Sequence, residues 1–169
     1  MNIDEAINEY PNCLYYNKQW HVLAQNGDIN SIVNIGTDFA RCEMMDYAIT
    51  CWQYVIDSGK GTAEAYSNLG VSYYYGNGVI QNYKKAVQYY QKAAAKNHPY
   101  GMYNLAVACE NGCGTPMDLD KAIKYYEMAA CKGVNMAIDA LIRLGLYSET
   151  IGLAYYGRNL EDDSFTPFK

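Results

Sequence analysis

Cys109 and Cys113 stand four residues apart in the phrase YNLAVACENGCG, a spacing that would bring both thiols to one face of a helix and so could seat a metal. A structural zinc site needs four ligands, and neither Cys131 nor the distant His21 and His98 supplies a recognisable second pair. The cysteines therefore read as free thiols behaving as small apolar side chains. The glycines of GNGV (76–79) and GCGT (112–115) raise a different chemistry, the cradling of phosphate. A phosphate loop needs a strand before its glycines and Lys-Ser or Lys-Thr after them, and neither loop has these. The carboxylate groups DLD (118–120) and EDD (161–163) read as a helix cap and a solvated tail. His98, followed by Pro99, falls in a turn between units. With no nucleophile, base or cofactor motif, the expectation is a protein that is not an enzyme and uses no cofactor and no metal.

The bulk properties point the same way. The chain has 169 residues, half of them apolar and 18% charged, which suits one domain with a real core and excludes a disordered chain. A net charge of −5 with 13 scattered basic residues argues against nucleic acid or an anionic membrane as partner. No run of 18 apolar residues exists to span a bilayer. The opening MNIDEAINEYPN is acidic and polar, not a secretory leader, so the expected location is cytoplasmic and the six cysteines are expected to be reduced. Tyrosine is conspicuous, with 19 copies, most of them expected to pack with one polar end in water.

The glycine loops belong to a larger regularity. SNLGVSYYYGNG (67–78) lies over YNLAVACENGCG (103–114) without a gap, and Leu69, Leu105 and Leu141 share one register. Gly76 coincides with Gly112, Gly78 with Gly114, Ala86 with Ala122, Tyr89–Tyr90 with Tyr125–Tyr126, and Ala93–Ala94 with Ala129–Ala130. Each unit holds two helical stretches. In the first, Ala65, Leu69 and Tyr73 make an apolar stripe, and Gly76 stops the helix by taking the left-handed conformation. Asn82 and Asp118 are suited to cap the second helix, where small alanines admit a neighbouring helix beside a pair of tyrosines. Asn97 and Gly133 end it. Such a unit cannot bury its face alone, so the units must stack.

The pattern continues loosely upstream. SIVNIG places Gly36 before DYAITCWQYVIDSG, with Ala48 and Trp52 in the alanine and aromatic places and a shorter loop, CEMMD, without glycines. CLYYNKQWHVLAQNG reads as an earlier second helix with Trp20 in the aromatic place and Gly27 as its stop. Downstream, residues 137–144 begin a fourth unit, and SETIGLAYYG is expected to finish it as a capping helix with Ser148 as N-cap. The expected organisation is one repeat domain over 1–157, best defined at 65–100 and 101–136, divergent over 12–64 and partial with a cap over 137–157. An aperiodic tail, 158–169, follows.

AYSNLGVSYYYGNGVIQNYKKAVQYYQKAA and GMYNLAVACENGCGTPMDLDKAIKYYEMAA resemble the Sel-one-like repeat family, relatives of the tetratricopeptide repeats, specifically over 63–145 and loosely over 12–62. The shared features are Leu-Gly in the first helix, a Gly-x-Gly loop, Lys-Ala, an aromatic pair and Ala-Ala. The resemblance implies an all-α, right-handed α-α superhelix of about four helix-turn-helix repeats that binds other proteins as an adaptor or scaffold. Some secreted relatives carry one cysteine at the end of the second helix and another eight residues on. Here Cys131 would meet Asp139, and the earlier unit has Ala95 and Tyr103, so that disulfide framework is absent.

One recurrence suggests a binding surface. Asn34, Asn68 and Asn104 each precede the small residue of a first helix by two positions. In the tetratricopeptide arrangement that the pattern resembles, this edge faces the concave groove, where a ladder of amides could hold an extended peptide backbone. The same face would include Asp38, Ser72, Tyr75 and Asn111, with Tyr103 adjacent. The competing reading has these asparagines bonding between neighbouring helices. VSYYYG cannot bury three consecutive tyrosines on one stripe, which leaves Tyr73 as the core candidate and Tyr74 or Tyr75 accessible for an interface. The function expected is non-catalytic binding of a protein or peptide of unknown identity. The alternatives are a self-associating assembly module, making the chain a homo-oligomer, and a regulator or immunity factor that acts by binding an enzyme.

Overall fold

A computed structural model describes residues 1–146. The capping helix expected from Ser148 and the tail 158–169 lie outside the described residues. Nine helices follow one another, with no strand among the described residues: α1 (Ile3–Glu9), α2 (Lys18–Gln25), α3 (Ile29–Arg41), α4 (Met45–Val55), α5 (Ala63–Tyr75), α6 (Tyr83–Ala95), α7 (Pro99–Asn111), α8 (Leu119–Ala130) and α9 (Asn135–Arg143). The helices pair as α1/α2, α3/α4, α5/α6 and α7/α8, and α9 opens the next unit. This is the expected all-α repeat solenoid.

Local chemistry sets the ends of these helices. Asn82 Oδ1 accepts from the Lys85 N–H at 3.0 Å, and Asp118 Oδ1 accepts from the Lys121 N–H at 2.9 Å, each satisfying an amide of the first turn. Gly76 (φ 77°) and Gly112 (φ 66°) close α5 and α7 in the left-handed region. The divergent unit turns through Glu43 (φ 62°) in place of a glycine, which fits its shorter connection. Upstream, the helix expected over 13–27 is confined to Lys18–Gln25, its start set by Asn17, whose side chain accepts from the Trp20 N–H. The polar opening is also helical. Asn2 and Glu5 form a capping box around the start of α1, which buries Ala6 and Ile7.

Stacking rests on small residues facing large ones. Leu69, Leu105 and Leu141 are buried, each contributing about 1.5–3 kcal/mol of apolar burial. A Cβ at Gly101 would stand 2.6 Å from Ala93 Cβ, so α6 and α7 approach through alanine against glycine. Tyr73 differs from expectation. It is half-buried and stacks on Tyr89 (centroids 5.6 Å, 17°), while Ser72 takes the buried place after Leu69 and donates its hydroxyl to the Asn68 carbonyl at 3.1 Å. The stripe thus runs 65, 69, 72, three residues on from Leu69 instead of four.

Candidate functional site

Successive first helices touch, α3 on α5 and α5 on α7, while each second helix packs on the first helix of the next unit. The first helices therefore line the inner face of the stack. Near its C-terminal end this face opens into a cavity of about 510 Å³ between α7 and α9. Tyr103, Val107, Glu110 and Asn111 line it from α7, Met136, Asp139 and Arg143 from α9, and Tyr126 reaches it from α8.

A charged network forms the wall. Tyr126, almost wholly buried, donates its hydroxyl to Glu110 Oε2 at 2.6 Å, and Arg143 Nη2 meets Glu110 Oε1 at 2.6 Å. Burial alone would raise the Glu110 carboxyl, but the hydrogen bonds from Tyr126 and Arg143 outweigh it and hold the group below the usual carboxylate range. Burial first, and then the bond to Glu110, pushes the Tyr126 phenol upward. Burial also raises Tyr103, with Tyr75 and Glu110 adding to the effect. At neutral pH the cavity therefore offers neutral phenols, an ion pair, and the exposed carboxylate of Asp139. These groups can hydrogen-bond and stack against a partner.

The residues singled out in the sequence divide into three groups. Tyr103 and Asn111 line the cavity, and Tyr75, 65% exposed, ends α5 near enough to Tyr103 to raise its phenol. The Asn111 amide donates to the Val107 carbonyl at 3.0 Å. Asn34, Asn68 and Asn104 are half-buried on three successive first helices. Asn68 Nδ2 donates to Thr37 Oγ1 at 3.3 Å, a bond from α5 to α3 of the interhelical kind. One unit on, Val71 takes the place of Thr37 and offers no such acceptor to Asn104.

Asp38 and Ser72 must be withdrawn from the exposed face. Asp38 is 4% and Ser72 2% exposed. The Tyr10 hydroxyl donates to Asp38 Oδ2 at 2.7 Å, covering the carboxylate from the N-terminal unit, and Ser72 is spent on the Asn68 carbonyl. Glu110, Tyr126, Asp139 and Arg143 were not anticipated as members of the site. A sequence signal existed for two of them. Glu110 falls where the preceding unit has Tyr74, and Arg143 where it has Val107, so charge replaces aromatic and aliphatic side chains. Elsewhere, no three of His, Cys, Asp or Glu gather as metal ligands among the described residues. Cys109 is buried, which raises its thiol pKa.

Comparison with known proteins adds a family and a fold. The Sel1 repeat model matches residues 63–98 and 99–134, each beginning at a first helix and two residues ahead of the register read from the sequence. A Sel1 repeat protein from Oxalobacter formigenes is similar over 74% of this chain and 96% of its own, with 25% identity and a TM-score of 0.63. A protective antigen present in uropathogenic Escherichia coli strains, displaying an SLR fold, is similar over 99% of this chain, with 18% identity and a TM-score of 0.67. This chain spans 42% of that protein's length. No curated protein matches the chain in sequence.

Proposed function

We propose that this chain, a member of the Sel1-repeat family, binds an extended peptide or protein segment along the inner face of its first helices and acts as a non-catalytic adaptor in the cytoplasm. Sel1-repeat proteins are generally protein-interaction scaffolds, and their fold is typical of non-catalytic recognition. The observation that carries the finer reading is the cavity between α7 and α9, lined by Tyr103, Asn111 and Asp139, with the exposed Tyr75 close to Tyr103. Tyrosines bring large contact area with little side-chain entropy to lose, and amides can meet both polar groups of a backbone. A partner would enter this end of the groove and run toward Asn104, Asn68 and Asn34.

Affinity capture with the wild-type chain and with two double variants tests the reading. Tyr75→Ala/Asn111→Ala strips the cavity rim, and Asn68→Ala/Asn104→Ala strips the ladder, each first shown to be folded by circular dichroism. A partner held by wild type and lost by the rim variant supports groove binding. Loss with the ladder variant as well extends the contact over three units. Equal retention by all three forms sinks the proposal, and recovery of this same chain alone favours assembly instead.

A further inference from the structure

Cys13 and Cys42 are 29 residues apart in sequence, yet their Sγ atoms lie 2.9 Å from each other. Cys13 is buried just after the 3-10 turn that joins α1 to α2, and Cys42 is half-buried at the C-cap of α3. Independent contacts hold these two segments together. Tyr10, next to Cys13, gives its hydroxyl to Asp38 and accepts the Asn17 N–H at 3.0 Å, and the Arg41 guanidinium lies 3.6 Å over the ring of Tyr15. Cys13 Sγ also points at the Asp38 carbonyl, 3.5 Å away. A disulfide needs its sulfurs about 2.05 Å apart. The contacts above already hold the two segments side by side with their sulfurs facing.

We propose that Cys13 and Cys42 are a modification site, forming a reversible disulfide by exchange with a low-molecular-weight disulfide such as oxidised glutathione. The more accessible Cys42 thiolate attacks one sulfur of glutathione disulfide, giving a Cys42–glutathione mixed disulfide and releasing one glutathione thiolate. Cys13 then loses its proton and attacks Cys42 Sγ, the Cys42–glutathione bond breaks, and the second glutathione leaves as thiolate. Two protein thiols are oxidised, one glutathione disulfide is reduced to two thiols, and the two protons lost by the cysteines end on the glutathiones. Burial, then the bond to Cys42, pushes the Cys13 thiol up to about 11, so it holds little thiolate with which to make the first attack; its place in the second step comes from its position beside Cys42.

The bond would clamp the connector that leads into α2, a helix of which only Ala24 is buried. A link from its connector to the end of α3 closes a chain loop running from Cys13 to Cys42 and restricts the unfolded state. Reduction would release it.

The test uses the full chain in buffers of graded glutathione to glutathione-disulfide ratio, quenched with an alkylating agent and mapped by peptide mass spectrometry. The expected first intramolecular product is the Cys13–Cys42 bridge, formed while circular dichroism stays native, with the melting temperature raised by roughly 5–15 °C. The Cys13→Ser variant should stop at a Cys42–glutathione adduct, and Cys42→Ser should give neither product nor shift. Persistence of both thiols at high glutathione disulfide overturns the proposal, as does a different pair forming first or a bridge that appears only after denaturation.

Discussion

The ring of Tyr90 fills the space that a side chain at Gly70 would need: a Cβ there would stand 2.5 Å from Tyr90 Cε1. The preceding unit solves the same contact with Gly36 and Trp52, whose indole N–H donates to the Val33 carbonyl at 3.3 Å. The following unit uses Ala106 and Tyr126, members of one buried cluster. Each of the three helix pairs from α3 to α8 is thus set by an aromatic of the second helix lying on a small residue of the first. Gly70→Ala must displace the Tyr90 ring, an overpacking cost of about 1–3 kcal/mol, against a gain of roughly 0.5–1 kcal/mol in helix propensity. A net loss is expected in urea unfolding followed by circular dichroism. A gain in stability would mean that the ring yields freely.

Leu69 tests another face of α5. It is fully buried in the cluster that joins α3, α4 and α5. Leu69→Ala leaves a cavity and should cost about 2–5 kcal/mol, read as a lower urea midpoint. Tyr73→Ala removes a half-buried ring from the stack with Tyr89 and should cost less. If Tyr73→Ala were the costlier change, the buried stripe would run through residue 73 and not Ser72.

How much of this was legible in the chain depends on the range of the interaction. Gly76, Gly112, Asn82 and Asp118 act on their own turns, and each performs the role its type suggests. The three leucines act through a period that repeats, so their burial was legible too. α1 was missed although Asn2 and Glu5 spell its capping box, because a seven-residue helix owes its existence to burying Ala6 and Ile7 and packing on α4. In the site, Tyr103 and Asn111 followed from their position on the first helix. The pairing of Glu110 with Tyr126 and Arg143 did not, since it joins residues 16 and 33 apart and two of the three, Glu110 and Arg143, break the repeat instead of obeying it. The burial of Asp38 depends on Tyr10, 28 residues earlier and outside any unit then recognised.

Glu110 should give the cavity an acid limb. Its folded pKa lies below the ordinary 4.5, so the stability it adds is fully present above that value and is lost as the pH falls through the depressed one. Glu110→Gln keeps an acceptor for Tyr126 but cannot titrate. The wild type should therefore lead this variant most at pH 7, with the gap narrowing between about pH 5 and pH 3. Tyr126→Phe removes a buried bond to a charged group and should cost about 1.5–3 kcal/mol at pH 7. Urea midpoints of the three forms at pH 3, 5 and 7 check both statements. A gap independent of pH would show that the carboxylate's charge adds nothing.

The two glycines of each Gly-x-Gly loop have different work, and their variants should separate it. Gly112 (φ 66°) closes α7, and a Cβ there would come no nearer than 3.3 Å to Met117 Cβ. Gly114 (φ 78°) lies against the start of α6 in the preceding unit, where a Cβ would run into the backbone of Tyr83 and Lys84. Alanine in the left-handed region costs about 1–2 kcal/mol at either position. At Gly114 it must also push away main chain that cannot rotate aside, adding roughly 1–3 kcal/mol. In the unit before, Gly78 meets Met45 Cβ and the flexible end of Ile49 on α4, so Gly78→Ala should fall between the other two. Urea midpoints of Gly112→Ala, Gly78→Ala and Gly114→Ala should descend in that order. Equal midpoints would mean that the loop lifts off the preceding unit at no cost, and that stacking rests on the helices alone.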